Sequence, residues 1–98
     1  MCHVCFWEDD PVQILDPWYE GGANEPSLLQ AQANYLAYGA MEPRFVGNVT
    51  GVQPSDVRDR EWRPVAEDDR GFTRVPCDLS ETEYGDLNVW YYWKRHRA

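Results

Sequence analysis

Positive charge is missing from the first 41 residues, which carry six carboxylates (Glu8, Asp9, Asp10, Asp16, Glu20, Glu25) and no Lys or Arg. The net charge is -8. Phosphate attraction needs a positive surface, so the balance argues against general nucleic-acid binding and permits a basic protein partner. Long apolar runs are missing too. Nothing approaches the roughly 18 to 20 residues of a membrane span, and no basic segment leads into an apolar one as in an export signal. A soluble, cytoplasmic protein without a membrane partner is the expectation. Cysteine is scarce and odd in number, at three, which suits free thiols or metal ligands better than a disulfide framework. The Asn48-Val49-Thr50 sequon is then uninformative. No nucleophile elbow, P-loop, H-E-x-x-H or dinucleotide fingerprint is present. His3 and His96 sit at the two ends, poor places to hold a base in register, so the chain reads as no enzyme.

What the chain does have is aromatic bulk: five Trp, six Tyr and three Phe in 98 residues supply one compact domain. Residues 1–26 are punctuated by Asp10-Pro11, Asp16-Pro17, Gly21-Gly22 and Glu25-Pro26, which predicts an ordered loop with Asp10 capping a turn. Ser27 followed by Gln30 has the form of a capping box. Leu28, Leu29, Tyr35 and Leu36 then recur at near-helical spacing up to Gly39, predicting a helix over about 27–38. Pro43, Gly47, Gly51, Pro54 and Pro64 exclude a long helix over 42–64. There Phe45-Val46 and Val49 read as a brief strand or as a contact onto the helix, and Trp62 as an anchor. Phe72 to Val75 and the run Leu87 to Trp93 are rich in β-formers and read as strands, with a helical turn at 80–83 between them. The fold expected is α+β: one central helix packed on a small antiparallel sheet, loop-rich, in a single domain over 1–98.

The stretches "CHVCFWEDDPVQ", "GGAN" and "SLLQAQANYLAYGA" resemble the bacterial cysteine-rich CPCC family, with a weaker echo in "DVRDREWRPV". The resemblance covers 1–65, leaving 66–98 as a C-terminal extension with an aromatic strand. It implies a zinc-ribbon-like domain with two cysteine pairs. This chain begins at the second pair, has His3 where the family often has Pro, and lacks the first C-P-C-C element. Only Cys2 and Cys5 carry over as ligands. The family implies no activity.

A tetrahedral zinc site takes about four ligands. Cys2 and Cys5 supply two, and Cys77 is the next candidate, with His3 and His96 behind it. A metal-free pair is the favoured reading, with no cofactor and zinc as the alternative. Redox catalysis is disfavoured by the carboxylates that follow the pair, which oppose thiolate formation. Glu8, Asp9 and Asp10 with Trp18, Trp90 and Trp93 are the candidate partner-binding residues. In a strand Trp90 and Tyr92 would face one side, and Tyr91 and Trp93 the other, one pair being core. The function expected is protein binding by a small acidic module, as an immunity-type or antitoxin-like inhibitor or an adaptor. The alternatives are a zinc-ribbon-like structural or regulatory module and an acidic DNA mimic. Self-association is left open.

Overall fold

The computed structural model describes residues 1–95, and among them there is no β-strand. Five α-helices occur in chain order: α1 (Pro11–Leu15), α2 (Leu28–Tyr38), α3 (Glu81–Tyr84), α4 (Leu87–Trp90) and α5 (Tyr92–Arg95). Three 3-10 segments, Pro43–Asn48, Glu67–Phe72 and Pro76–Asp78, link them. The α+β expectation is therefore wrong; the described chain is helix and loop.

Helix α2 forms as its sequence predicts. The Ser27 hydroxyl accepts from the Gln30 amide at 3.1 Å while the Gln30 side chain accepts from the Ser27 amide at 2.9 Å. At the other end Gly39 takes a left-handed φ of 86° and returns its N–H to the Tyr35 carbonyl. The 3-10 segment Pro43–Asn48 packs against this helix, so Phe45 docks instead of forming a strand.

The expected strand at 87–93 fails because its flanks cap helical turns and no neighbouring strand is available to pair with it. The Asp86 carboxylate accepts from the Asn88 amide at 2.9 Å, starting α4. Tyr91 is extended (φ -99°, ψ 125°) and breaks the run, after which α5 begins. β-propensity only becomes a strand where a partner edge exists. The expected strand at 72–75 is lost similarly: Glu67–Phe72 is 3-10, and the Arg74 amide goes to the Leu15 carbonyl at 3.1 Å, the end of α1.

Two small cores result. Trp7, Ala31 and Met41 are buried together, with Cys2, Cys5, Phe6, Leu28 and Phe45 packed around them. The other surrounds Tyr92, which is 1% exposed. Its hydroxyl donates to the Arg63 carbonyl and accepts from Gln32 Nε2 at 2.9 Å. Gln32 also accepts from the Val65 amide at 2.9 Å, so one side chain of α2 ties down both α5 and the 63–65 segment. Arg95 reaches back to the Leu15 carbonyl at 3.1 Å, fastening the C-terminal segment to α1.

Candidate functional site

The conspicuous E-D-D-P-V-Q stretch turns out to be largely architectural. Asp10 caps α1, accepting from the Val12 amide at 2.8 Å, and its other oxygen accepts from the Ala23 amide at 2.8 Å. These backbone donors, Ala23 first, hold its carboxyl below the usual range. Gln13 is fully buried. Its Nε2 lies 3.0 Å from the Pro26 carbonyl, 3.1 Å from that of Asn24 and 3.2 Å from that of Tyr19. Its Oε1 accepts from Asn24 Nδ2 at 2.9 Å and from the Asn24 amide at 3.1 Å. Asn24 in turn pairs with the backbone of Glu8 on both sides, at 2.9 and 2.6 Å. Gly22 permits this closeness: a Cβ there would lie 2.5 Å from Asp10 Oδ2 and 3.0 Å from Gln13 Cδ. The D-P-V-Q and G-G-A-N elements are thus two halves of one polar clasp.

Directly before the clasp lies the thiol loop. The Phe6 amide donates to the Cys2 carbonyl at 2.7 Å and the Cys2 amide to the Trp7 carbonyl at 2.8 Å, closing residues 2–7 into a tight turn. Phe6 stands at φ 71°, a left-handed conformation that costs an aromatic residue of order 1 kcal/mol. It is held by packing against the Phe45 ring, 4.5 Å away. Cys2 and Cys5 are both half-buried free thiols that pack against the Trp7, Ala31 and Met41 cluster. Burial, with smaller contributions from the charges of Cys2 and Asp9, pushes the Cys5 thiol up to about 11. This is the opposite of what a redox nucleophile needs.

The loop forms one wall of a groove of about 940 Å³. Trp7 lies at its base, α2 contributes Leu28, Tyr35 and Leu36, and Arg58, Trp62 and Pro64 close the far side. Leu36 is 79% exposed. Asp9 stands at one edge and also borders a smaller cleft with Ile14, Leu87 and Trp90.

The sequence-based site residues scatter. His3 turns to Asp56, 2.8 Å away. Cys77 is exposed, in the 3-10 segment that packs on α1, and His96 lies outside the described residues. Among the described residues no three His, Cys, Asp or Glu side chains converge to hold a metal ion. Two thiols fall short of the four ligands of a closed zinc site. Of the candidate partner residues, Asp9 borders the groove and Glu8 is exposed, whereas Asp10 is spent in the clasp. Trp18 lies under Arg70, 5.2 Å from its ring centroid. Trp90 donates to the Tyr84 carbonyl at 2.7 Å, and Trp93 donates to Asp59 at 3.1 Å. Sequence reasoning missed Tyr35, Leu36 and Trp62 as one surface. Their only signal was that Tyr35 and Leu36 share the helical repeat with core residues.

The molecule is a small helical protein with a C-x-x-C turn backed by a polar clasp. The family model for cysteine-rich CPCC proteins matches residues 1–56, which include the thiol loop, the clasp and α2, and the chain belongs to that family. No curated protein and no solved structure matches it. No helix among the described residues is long and apolar enough to cross a membrane.

Proposed function

We propose that this chain is a small acidic protein-binding module that seats an apolar segment of a partner in the groove between the thiol loop, α2 and residues 58–64. The observation that carries the reading is the groove itself: about 940 Å³, with aromatic walls and Leu36 standing out into solvent at 79% exposure. That volume lies within the several-hundred to ~1,000 Å³ range of ligand-binding clefts. Asp9 at the edge and exposed Glu8 nearby favour a segment carrying a Lys or Arg beside its apolar residues. An inhibitor or adaptor works by such a surface and needs no chemistry of its own. Non-enzymatic action is supported by the raised Cys5 thiol and by the commitment of His3 to Asp56. Three free thiols suit a reducing compartment such as the cytoplasm.

A DNA mimic needs carboxylates free to stand in for phosphates. Here Asp10 caps α1, Asp69 and Glu83 pair with Arg63 and Arg74, and Asp59 pairs with Lys94, which favours the groove reading. The test is selection of peptides from a random display library, followed by tryptophan-fluorescence titration. Selected peptides should share apolar residues with a flanking cation, and Leu36→Asp and Trp62→Ala should abolish binding while Trp90→Ala leaves it intact. Peptides that bind both groove variants as tightly as the parent would overturn the assignment.

A further inference from the structure

The groove is lined by sulfur as well as by rings. Met1, Cys2, Cys5 and Met41 all border it. Cys2 and Cys5 both pack against the buried cluster that contains Met41, and the Met41 amide donates to the Cys5 carbonyl at 2.7 Å. Met41 is 4% exposed, so its side chain is fixed in that neighbourhood. No third thiol, imidazole or carboxylate completes a set with the two cysteines among the described residues.

This donor set has a chemical preference. Hard cations want oxygen, and zinc wants about four ligands of the thiolate, imidazole or carboxylate kind. Thiolates with thioethers and nothing else select soft, closed-shell monovalent ions, which accept low coordination numbers. We propose that Cys2 and Cys5, with the Met41 thioether beside them, form a binding site for a soft monovalent cation of the copper(I) class.

Binding is a ligand exchange without electron transfer. Both thiols release their protons to solvent, two S–Cu bonds form, and the bis-thiolate complex carries a net charge of -1. The closed turn over residues 2–7 keeps the two cysteines together before the ion arrives, and Trp7, Tyr35 and Trp62 line the same groove. Because protons leave, binding weakens in acid. The site lies beyond the partner-binding reading and does not depend on it, since Leu36 and Arg58 are outside the sulfur set.

The test is anaerobic titration of the reduced chain with the copper(I) acetonitrile complex in competition with bicinchoninate, read by ultraviolet thiolate-to-copper charge transfer. One copper per chain is expected, lost in Cys2→Ser and in Cys5→Ser and retained in Cys77→Ser and Leu36→Asp. Met41→Leu, which keeps the volume, should weaken binding by about tenfold, in the range for a group adjoining the main ligands. X-ray absorption of the copper-loaded parent should show a sulfur-only shell, and it decides the matter even if a cysteine variant does not fold. No copper retained against the competitor, half a copper per chain, binding that survives in both cysteine variants, or a nitrogen and oxygen shell would each overturn the site.

Discussion

Gln13→Met isolates what the clasp contributes, because methionine fills nearly the same volume and makes none of the hydrogen bonds. In the native chain the Gln13 amide group serves three carbonyls and accepts two N–H donors of Asn24. Three of the partner groups, the side-chain amide, backbone N–H and backbone carbonyl of Asn24, sit with Gln13 in a region shut off from solvent, Asn24 being 2% exposed. The Tyr19 and Pro26 carbonyls are nearer to water and can rehydrate in part. Stranding a buried polar group costs about 1–3 kcal/mol. With the Asn24 backbone N–H and carbonyl stranded, the Tyr19 and Pro26 carbonyls partly so, and the Asn24 side chain keeping its bonds to Glu8, the loss comes to about 3–4 kcal/mol. A domain of this size has only about 5–15 kcal/mol to lose. Urea unfolding followed by tryptophan fluorescence should show the midpoint falling by about 3–4 M at an unchanged slope near 1 kcal/mol per M. Gln30→Met, at an exposed capping position, is the control and should cost at most about 1 kcal/mol. If the two substitutions prove equal, the clasp does not hold the fold together as argued.

Gly22→Ala pushes a methyl group to 2.5 Å from Asp10 Oδ2 and 3.0 Å from Gln13 Cδ; it should cost about 1–3 kcal/mol by thermal melting, and a neutral result would show that the clasp yields easily. Asp69→Ala removes a fully buried carboxylate bonded to Arg63 at 2.6 and 2.7 Å and to the Ala66 amide at 2.8 Å. Arg63 is 38% exposed and can resolvate, so the loss falls at or just below the ~3 kcal/mol lower limit for a broken buried pair, about 2–3 kcal/mol in urea. Stability should also fall in acid: the Arg74 guanidinium lowers Glu83 from 4.5 to about 2, so its contribution is intact above 4.5 and lost as pH falls toward 2. In alkali the sign reverses, because burial raises Cys5 from 9.0 to about 11 and Tyr92 from 10.0 to about 12. Their neutral forms stabilise the fold below pH 9 and that contribution drains away as pH rises to about 12. Tyr92→Phe should remove part of the alkaline loss, measured as the unfolding midpoint against pH.

Where the sequence was legible, the causes were local. Ser27, Gln30 and Gly39 specify α2 through contacts within a few residues of themselves, and Asp10 before Pro11 announces a cap that the structure contains. Where it misled, the cause was a partner that is not there. The run from Leu87 to Trp93 has the composition of a strand, but among the described residues there is no strand edge to complete it. The chain instead spends its aromatics on single contacts: Tyr92 on Gln32 and Arg63, Trp90 on Tyr84, Trp93 on Asp59. Aromatic bulk satisfies a core of helical turns as well as it satisfies a sheet.

The clasp shows a different limit. Gln13 and Asn24 are ordinary polar residues eleven positions apart, and nothing in either one says that it will be buried. Each is buried only because the other supplies its missing hydrogen bonds, so the pair is a property of two positions jointly and is invisible to any reading that takes residues singly. The same holds for the groove. Cys2, Tyr35 and Trp62 come from three segments whose approach is set by the clasp on one side and by Gln32 on the other. Changing the clasp should therefore move the groove walls even though no clasp residue touches a ligand there. A milder clasp variant that stays folded, Gly22→Ala, ought to weaken both peptide and copper(I) binding together, whereas Leu36→Asp should weaken the peptide alone. If Gly22→Ala leaves both affinities at the parental value while lowering the urea midpoint, the clasp stabilises the fold without shaping the groove, and the coupling argued here is wrong.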